Sequence, residues 1–287
     1  MNPYRSLVAE IARLRAEGKA LPLGGLPVQR HPTLIADLPT VLVFAPHPDD
    51  ECIVGALPLR LQREARLRVV DVAVTQGSNK DRQAARLEEL RGACDYLGFE
   101  IITTGPHGLE RIGAKTRAYE PEHWQAAVDV IADILVRERP TAIFCPHDDD
   151  ANSTHVGTHL LVMDALARQA TTFACHVIET EFWRAMAAPN LMVESSVDDV
   201  ADLVAATSFH AGEVQRNPYH LSLPAWMQDN VRRGGELVGV QGAAAPDFIF
   251  ATLYHVRRFE RGRLVPAWVG GRQLAKDADV ARLFSAP

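Results

Sequence analysis

An imidazole and two carboxylates lie within four positions of the pentapeptide His47-Pro48-Asp49-Asp50-Glu51. The pentapeptide directly follows the apolar run from Thr40 to Ala45, which is typical of a buried strand. A turn that only joins a strand to a helix rarely contains three groups that can bind a metal ion or transfer a proton. The segment therefore indicates a metal-assisted hydrolase.

Two other strand-like runs are also followed by polar clusters. The run 67–75 precedes Gln76 and Ser78, and the run 141–145 precedes a cluster that ends at His155. Because ligands bind beyond the carboxyl ends of parallel strands, we expect all three clusters at one rim of a sheet. Gln76 and Ser78 are then expected to line a substrate pocket, with an ordinary turn as the alternative.

His47, Asp50 and His155 have the side chains that catalytic zinc binds. Such sites commonly use three protein ligands, with nitrogen from His and oxygen from carboxylates, and keep one position for water. His47 and Asp50 are three residues apart around a proline, so both can turn to one ion. Bound zinc lowers the pKa of its water to about 7. Asp49 then stays free to act as a general base, and the sequence predicts one Zn²⁺ per chain.

Alternating strands and helices must position these groups. Apolar runs predict strands at 40–45, 67–75, 99–103 and 141–145. Helical periodicity predicts helices at about 4–18, 51–65, 80–97, 121–138 and 154–169. Alternation of this kind predicts an α/β fold, in which helices cover both faces of a mostly parallel sheet.

The pattern changes after residue 170. A strand, a helix, a stretch broken by Gly and Pro, and a second strand are predicted at 172–180, 197–209, 211–247 and 248–259. We expect a single domain over 1–287, with a core at about 38–180 and a C-terminal cap or subdomain at about 181–260. A Gly/Pro-rich connector is predicted at 21–39, and the end from Arg272 is expected to be peripheral.

Composition excludes several classes of function. The 287 residues are 47% hydrophobic and 23% charged, as in soluble globular proteins, and the formal net charge is −6. An acidic surface attracts neither nucleic acid nor anionic membranes. No uncharged stretch is long enough to span a bilayer, and the N-terminus lacks the layout of a signal peptide. The four cysteines are widely spaced without a CxxC pattern, which suits a reducing compartment, and we expect a cytoplasmic protein.

The segment from Ala45 to Glu51 resembles the (A)HPDDE signature of the LmbE-like, PIG-L-type N-acetylglucosaminyl deacetylase family. Thr154-His155-Val156-Gly157-Thr158-His159 is similar to the second metal motif of that family. Arg86 to Leu90, followed by Leu97-Gly98, is similar to its intervening helix. The resemblance covers roughly residues 38–170 in motif order and spacing.

The resemblance implies a Rossmann-like three-layer fold, a zinc ion, and hydrolysis of an N-acyl group on an amino sugar or a similar amine. It implies His47, Asp50 and His155 as metal ligands. It also implies Asp49 as the base and a role for Arg86 in facing the substrate, whereas a surface ion pair is the alternative for this arginine.

The chain departs from the family pattern at one position. Many members have a histidine three residues before the third metal ligand, where this chain has Asn152. That histidine is thought to protonate the leaving amine or to hold the oxyanion. Asn152 can donate a hydrogen bond to an oxyanion but cannot deliver a proton at neutral pH. Either Asp49 acts as both base and acid, or another residue such as His220 supplies the proton.

Several neighbouring side chains have structural alternatives. Glu51 suits either the site or the start of a helix, where a carboxylate is stabilised. His159 lies one helical turn after His155, and we expect it to support a metal ligand from behind, with a core histidine as the alternative. The run 148–150 is expected to be a solvated loop, with the alternative that one of its carboxylates orients a metal-bound imidazole.

The stretch 217–226 is aromatic and bounded by prolines. Its residues Tyr219 and His220 suit a loop that contacts a sugar ring, although packing between subdomains is an equal alternative. An exposed aromatic segment around Trp226 would also suit a subunit contact, so a homo-oligomer is left open.

The leading hypothesis is a zinc-dependent N-deacetylase that acts on a small amino-sugar conjugate. Two histidines and a carboxylate also form the facial triad of non-heme iron enzymes, which is the first alternative. The second is a non-enzymatic α/β protein that binds a sugar or a nucleotide. Its weakness is that the first turn is not the Gly-rich phosphate loop of such proteins.

Overall fold

The computed structural model describes residues 2–28, 38–242 and 244–284, so part of the predicted connector, 29–37, lies outside the described residues. The helices among the described residues are α1 (Arg5–Gly18), α2 (Asp50–Ile53), α3 (Leu57–Arg63), α4 (Lys80–Leu97), α5 (Ala114–Tyr119), α6 (Pro121–Glu138), α7 (Ser153–Leu166), α8 (Val197–Ser208), α9 (Ala211–Val214) and α10 (Leu223–Leu237). Two 3₁₀ turns are η1 (Tyr219–Ser222) and η2 (Val280–Phe284).

The described strands are β1 (Thr40–Ala45), β2 (Arg68–Ala73), β3 (Glu100–Thr103), β4 (Ala142–Pro146), β5 (Ala174–Thr180), β6 (Leu191–Ser195), β7 (Phe250–Glu260), β8 (Arg263–Pro266) and β9 (Arg272–Leu274). They form one sheet in the order β3-β2-β1-β4-β5-β7-β6-β9, with β8 paired to β7. The first five strands of this order are parallel, and β7 is antiparallel to β5, β6 and β8. The predicted α/β fold with a mostly parallel sheet is confirmed.

Helices cover both faces of the sheet because its central strand is apolar on both sides. Val41 and Val43 of β1 pack into one core with α3, α4 and α8. Leu42 and Phe44 pack into a second core with α6 and α7. All residues of β1 are buried. A strand that is buried on both faces reads as a continuous apolar run, which is why it was visible in the sequence.

The carboxyl ends of β1, β2 and β4 lie at the same edge of the sheet. β1 pairs in parallel with β2 on one side and with β4 on the other. The backbone N–H of Thr75, just after β2, donates to the carbonyl oxygen of Pro46, just after β1. The three polar clusters of the sequence therefore begin at one rim.

The single helix predicted at about 51–65 is two helices, α2 and α3. Gly55 between them has a φ of +90°, a conformation that residues with a Cβ rarely adopt. A Cβ at Gly55 would also lie 2.4 Å from Thr252 Oγ1. The glycine thus ends α2 and lets the chain pass close to β7 before α3 begins.

The stretch 211–247, predicted to be broken by Gly and Pro, contains the long helix α10. Pro224 lies in the first turn, where its missing N–H leaves no helical hydrogen bond unmade. Gly234 lies where a Cβ would be 2.4 Å from Met192 Sδ, so the glycine permits close packing. The prediction was wrong because both residue types have positional roles inside the helix. Trp226 is half-buried beside the core, not exposed.

The end of the chain, expected to be peripheral, completes the sheet and the core. β9 pairs with β6, and Val280 and Leu283 of η2 are buried. The guanidinium of Arg60, from α3, is buried and donates hydrogen bonds to the carbonyl oxygens of Ala275 and Ala278 at 3.0 and 2.8 Å. The strand β9 and the turn η2 are too short for a periodic pattern in the sequence to predict these contacts.

Helix α1 carries an apolar stripe on the surface. Leu7, Ile11 and Leu14 are each more than half exposed, and none of the described residues of α1 is buried. Arg15 Nη1 donates to Ser222 Oγ at 3.0 Å and ties the helix to η1. None of the described helices has the length and apolarity needed to cross a bilayer.

Candidate metal centre and active site

The three predicted metal ligands come together at the carboxyl edge of the sheet. Asp50 Oδ2 lies 3.3 Å from His47 Nδ1 and 3.2 Å from His155 Nε2. One ligand atom of each residue lies within 4.8 Å of the others. His47 follows β1, Asp50 begins α2 and His155 lies in the first turn of α7, so two strand ends and two helix starts build the cluster.

The donor atoms of this cluster fit a divalent cation. Asp50 Oδ1 and both ring nitrogens of His155 are buried and have no hydrogen-bond partner among the described residues. Buried polar atoms without partners cost free energy. A cation between these side chains would partner the Asp50 carboxylate and His155 Nε2, the ring nitrogen that faces Asp50. Two imidazoles and a carboxylate are a donor set that zinc accepts readily.

The charges in the cluster favour an ionised Asp50. Burial opposes the negative charge, but the imidazoles of His155 and His47 hold the pKa of Asp50 well below its usual range. Burial likewise opposes a charged His155, but the Asp50 carboxylate raises the pKa of this histidine above its usual value. A bound cation would take the place of the proton that this arrangement otherwise attracts.

Asp49 lies beside the cluster without belonging to it. The hydroxyl of Tyr219 donates a hydrogen bond to Asp49 Oδ2, and Arg86 Nη2 lies 3.7 Å from Asp49 Oδ1. Burial, together with the charge of Asp50, raises the pKa of Asp49 to about 6. A carboxyl group with this pKa is suited to accept and to release a proton near neutral pH.

Asp150 lies behind the candidate ligand His155. Its Oδ1 is 3.6 Å from His155 Nδ1 and accepts the backbone N–H of Asn152 at 2.8 Å. Its Oδ2 accepts the backbone N–H of Trp183 at 3.1 Å. Asp150 is buried, so the expectation of a solvated loop over 148–150 is wrong at this position. Two backbone N–H groups hold the carboxylate inside the protein, and no spacing of residues in the sequence predicts these two hydrogen bonds.

Replacing Asp150 with Ala is expected to weaken metal affinity by about 10- to 100-fold, because it removes the carboxylate that lies 3.6 Å from His155 Nδ1 and is placed to orient the ring once a cation is bound. Competition with a chromophoric chelator measures this affinity. Asp148→Ala is the matched control, since Asp148 is exposed in the same loop and should keep the wild-type value. Equal metal affinities for the two variants would contradict the orienting role of Asp150.

Asn152, Gln76, Ser78 and Arg86 lie at the same rim. Asn152 begins α7, and its Oδ1 accepts a backbone N–H of the first turn at 2.8 Å. Gln76 is buried, and its side-chain nitrogen and oxygen have no partner in the described part of the chain. Ser78 is exposed, and Arg86 Nη2 donates to the carbonyl oxygen of Pro48 at 2.8 Å. These positions agree with contacts to a substrate, which stay a prediction.

The structure does not bring His159 or His220 to the cluster. His159 Nδ1 lies 3.0 Å from the carbonyl oxygen of Pro146 and 3.4 Å from Glu179 Oε1. His220 is buried in η1, where burial and then the charge of Arg15 lower its pKa. Across residues 2–28, 38–242 and 244–284, no hydrogen bond or ion pair joins either histidine to the three ligands.

His210, which no spacing in the sequence singles out, contacts the metal motif from the end of α8. Its Nε2 lies 2.7 Å from Glu51 Oε1, and Cys52 Sγ lies 2.9 Å from the same oxygen. Glu51 Oε2 accepts the backbone N–H of Asp49 at 2.8 Å. Glu51 therefore joins the motif to the C-terminal region from inside the protein and does not act as an exposed carboxylate at a helix start.

Two cavities open beside the cluster. The larger, of about 900 Å³, is bordered by His47 and Ser78, among others. The smaller, of about 320 Å³, is bordered by Asp49, Asn152 and Tyr219, among others. His47 of the candidate cluster thus borders the larger cavity, and the neighbouring Asp49 borders the smaller one.

The parallel strands gather His, Asp and His at their carboxyl edge, beside a separate carboxylate, so this is an α/β protein with a candidate metal site. The sequence model of the family described as PIG-L: GlcNAc-PI de-N-acetylase matches residues 42–166, which include the three predicted ligands. This match over residues 42–166 agrees with the resemblance to the PIG-L, LmbE-like family that the motifs indicated. A comparison with curated protein sequences finds no significant match.

Solved structures of the same fold include enzymes with different activities. The N,N′-diacetylchitobiose deacetylase from Pyrococcus horikoshii is 15% identical with a TM-score of 0.58, and the match covers 89% of this chain and 93% of that one. The 4-carboxy-2-hydroxymuconate hydratase GalB from Pseudomonas putida KT2440 is 17% identical with a TM-score of 0.56, over 76% and 96%. A zinc-inhibited form of teicoplanin deacetylase Orf2 is 15% identical with a TM-score of 0.52, over 77% and 98%. At these identities the similarity is one of fold, so the reaction has to be argued from the site.

Proposed function

We propose that the protein is a zinc-dependent N-deacetylase that hydrolyses the N-acyl amide of a small amino-sugar conjugate. The observation that carries this proposal is the carboxylate of Asp49, which lies beside the cluster of His47, Asp50 and His155 without belonging to it. Metal-assisted amide hydrolysis needs such a separate proton acceptor. The description of the family as a de-N-acetylase supports the choice of bond.

The residues of the site have separate roles in the proposed hydrolysis. His47, Asp50 and His155 would hold zinc through nitrogen and oxygen ligands. When bound, zinc supplies a Lewis acid that polarises the amide carbonyl and lowers the pKa of water to about 7. Asp49 takes a proton from water as the water oxygen bonds to the amide carbon. Asn152 donates from its side-chain nitrogen to the amide oxygen as negative charge grows there.

Asp49 also returns the proton, in this proposal, to the leaving nitrogen. The carbon–nitrogen bond then breaks, and the products are a carboxylate and an amine. Asn152 cannot deliver a proton, and no contact in the described residues brings His220 to the site. Tyr219 holds Asp49 Oδ2, which leaves Oδ1 to exchange the proton.

The substrate contacts are proposed from the rim residues. Gln76 offers a buried amide whose donor and acceptor have no partner among the described residues, so it suits a sugar hydroxyl. Ser78 borders the cavity of about 900 Å³, which has the volume of a site for a sugar with an attached group. Arg86 suits a hydroxyl or an anionic group of the conjugate. Tyr219 is proposed to act through Asp49 and not by stacking on a sugar ring.

Release of free amine from N-acetyl amino sugars tests the proposal. The metal-stripped protein is reconstituted with zinc and incubated with N-acetylglucosamine, small glycosides of it and N,N′-diacetylchitobiose, and a fluorogenic amine reagent follows the product. Zinc is added in steps up to one equivalent, because a deacetylase of the same fold is described in a zinc-inhibited form. Amine release that depends on zinc is the expected result.

Other outcomes separate the alternative functions. A protein that binds no metal yet holds a sugar or nucleotide tightly would be a binding protein, and the proposal would be abandoned. Oxygen uptake with ferrous iron, without release of amine, would assign the cluster to iron chemistry. Zinc bound at one per chain without hydrolysis of any N-acyl amine would support the metal site and contradict the proposed reaction.

Hydrolysis is expected to fall on the acid side with an apparent pKa no higher than about 6. The carboxylate is the base form of Asp49, so protonation below its pKa removes activity, and a bound cation lowers that pKa further by its charge. Initial rates at low substrate concentration from about pH 4.5 to 8 check this. An acid limb centred above neutral pH would assign the base to another group.

Two further predictions from the sequence are retained as proposals. The net charge of −6 and the four cysteines, all free and buried, suit a cytoplasmic location.

The exposed stripe of Leu7, Ile11 and Leu14 on α1 suits a contact between copies of the chain. Sedimentation velocity of the wild type, beside a variant with Ile11→Glu, tests the homo-oligomer, and an unchanged assembly in the variant would remove α1 from the contact.

A further inference from the structure

The backbone of Asp49 has an unusual conformation. Its φ is 124° and its ψ is −25°, in a region that residues with a Cβ rarely adopt. Such a conformation persists only where surrounding contacts hold it, and it is typical of residues at functional sites. The contacts that hold Asp49 therefore bear directly on where its carboxylate lies.

Glu51 is the side chain that holds this backbone. Its Oε2 accepts the N–H of Asp49 at 2.8 Å, and the whole residue is buried. A carboxylate with no access to water needs charged or polar partners on its other oxygen. His210 Nε2 supplies one at 2.7 Å from Oε1, and Cys52 Sγ supplies another at 2.9 Å.

We propose that His210 is a positioning residue for the base. By holding Glu51, it keeps the strained turn at Asp49 in place and aims the carboxylate beside the cation site and not into it. This inference rests on the proposed function for its catalytic consequence. Its structural part, the link from His210 through Glu51 to the backbone of Asp49, is independent of the reaction.

The C-terminal region thereby holds both the backbone and the side chain of Asp49, the proposed base. His210 and Tyr219 lie nine residues apart, and neither belongs to the metal cluster. His210 acts on the backbone of Asp49 through Glu51, whereas Tyr219 donates directly to its side chain. The segments that follow β1 and β4 supply the candidate cation ligands, and the segment after α8 determines the position of the base relative to them.

The same three side chains could be read as a second cation site, since Glu51, Cys52 and His210 place ligand atoms close together. The distances argue against this reading. Ligand atoms around a tetrahedral zinc lie roughly 3.2–3.8 Å apart, given bonds of about 2.0–2.3 Å. The separation of 2.7 Å between His210 Nε2 and Glu51 Oε1 is that of a charge-assisted hydrogen bond.

Substitutions of His210 test the inference. His210→Leu removes the donor and is expected to lower kcat about 100-fold, as a misplaced catalytic group does, with KM within about twofold and one metal per chain retained. His210→Gln keeps a donor of similar reach and is expected to recover at least tenfold of that loss. A side chain that only stabilised the fold would not give this split between kcat and KM with rescue by Gln.

The matched control is Thr207→Val. Thr207 is fully buried near the end of α8, three residues before His210, and its hydroxyl donates to the carbonyl oxygen of Leu203 at 2.7 Å. The variant loses a buried hydrogen bond without touching Glu51. It should melt at a lower temperature and keep the wild-type kcat.

Crystal structures of the wild type and of His210→Leu give a readout that needs no activity. The expected change is loss of the contact between Asp49 N and Glu51 Oε2 and a return of Asp49 to negative φ, with the contact kept in His210→Gln. An unmoved Asp49 in His210→Leu, or an unchanged kcat, overturns the inference. If the wild type hydrolyses no amide, the proposed function fails and the structures alone decide the link. If His210→Leu does not fold, His210→Asn, which is too short to reach Glu51, takes its place against His210→Gln.

Discussion

Replacing Asp49 with Ala is expected to leave zinc bound and to lower kcat for amide hydrolysis by about 10²- to 10⁴-fold, the range for loss of a general acid–base group. We expect the upper end of this range, because Asp49 is proposed both to take the proton from water and to return it to the amine. Its carboxylate touches Tyr219 and lies near Arg86, but it supplies no atom to the cation cluster. Steady-state kinetics and metal content, measured on the same preparation, check both halves of the prediction.

The backbone conformation at position 49 makes a second variant necessary. Ala is disfavoured at a φ of 124°, so Asp49→Ala also disturbs the turn. Asn adopts positive φ more readily and has nearly the same shape as Asp, so Asp49→Asn isolates the loss of the proton-accepting oxygen. Both variants should lose activity to a similar extent, and Asp148→Ala in the neighbouring loop should not. Full activity in Asp49→Asn would sink the assignment of the base.

Replacing His155 or His47 with Ala is expected to remove the metal. The wild type should bind about one zinc per chain, and each variant should lose it on dialysis, because two remaining protein ligands hold the ion too weakly. The loss of affinity should exceed the 10- to 100-fold expected for Asp150→Ala, which removes only a supporting contact. Elemental analysis after dialysis against a chelator, followed by reconstitution, measures this.

His159→Ala is the matched control for His155→Ala. The two histidines lie one turn apart on α7, but His159 contacts Pro146 and Glu179. Retention of zinc in His159→Ala, beside its loss in His155→Ala, would place the third ligand at 155. Retention in both, or a wild type that cannot be reconstituted, would contradict the metal centre itself.

The parallel half of the fold was predictable from the sequence. β1 lies at 40–45 as predicted, and α4 and α6 begin and end at the predicted residues. The physical reason is that a strand buried on both faces is apolar throughout, whereas a helix packed on one face repeats its apolar residues every three to four positions. Both patterns are local and can be read without knowing the partner.

The later part of the chain was less predictable. β6, β8 and β9 were not predicted, and α10 was taken for a broken stretch. Short strands give too few residues for a period to show. In α10, Gly234 reflects contact with Met192 from β6, and a single sequence does not reveal that partner.

The grouping of His47, Asp50 and His155 follows from sequence order and the rule for parallel strands. β1 and β4 are neighbours, so residues that follow them meet at one edge whatever their separation in the chain. The separate carboxylate of Asp49 was likewise visible, since it stands next to a ligand in the motif. The sequence by itself therefore determined which residues the structure groups at the candidate site, and it predicted the kind of chemistry proposed for them.

Only the tertiary structure decided which side chains hold that centre in place. Asp150 turns inward because two backbone N–H groups bind it, although its sequence context is that of a solvated acidic loop. Tyr219 reaches Asp49, and His210 reaches Glu51, from segments about 160 to 170 residues away. These contacts depend on how the chain after α8 returns to the sheet. No periodicity or spacing of these residues in the sequence predicts this return, because the two partners of each contact belong to different elements.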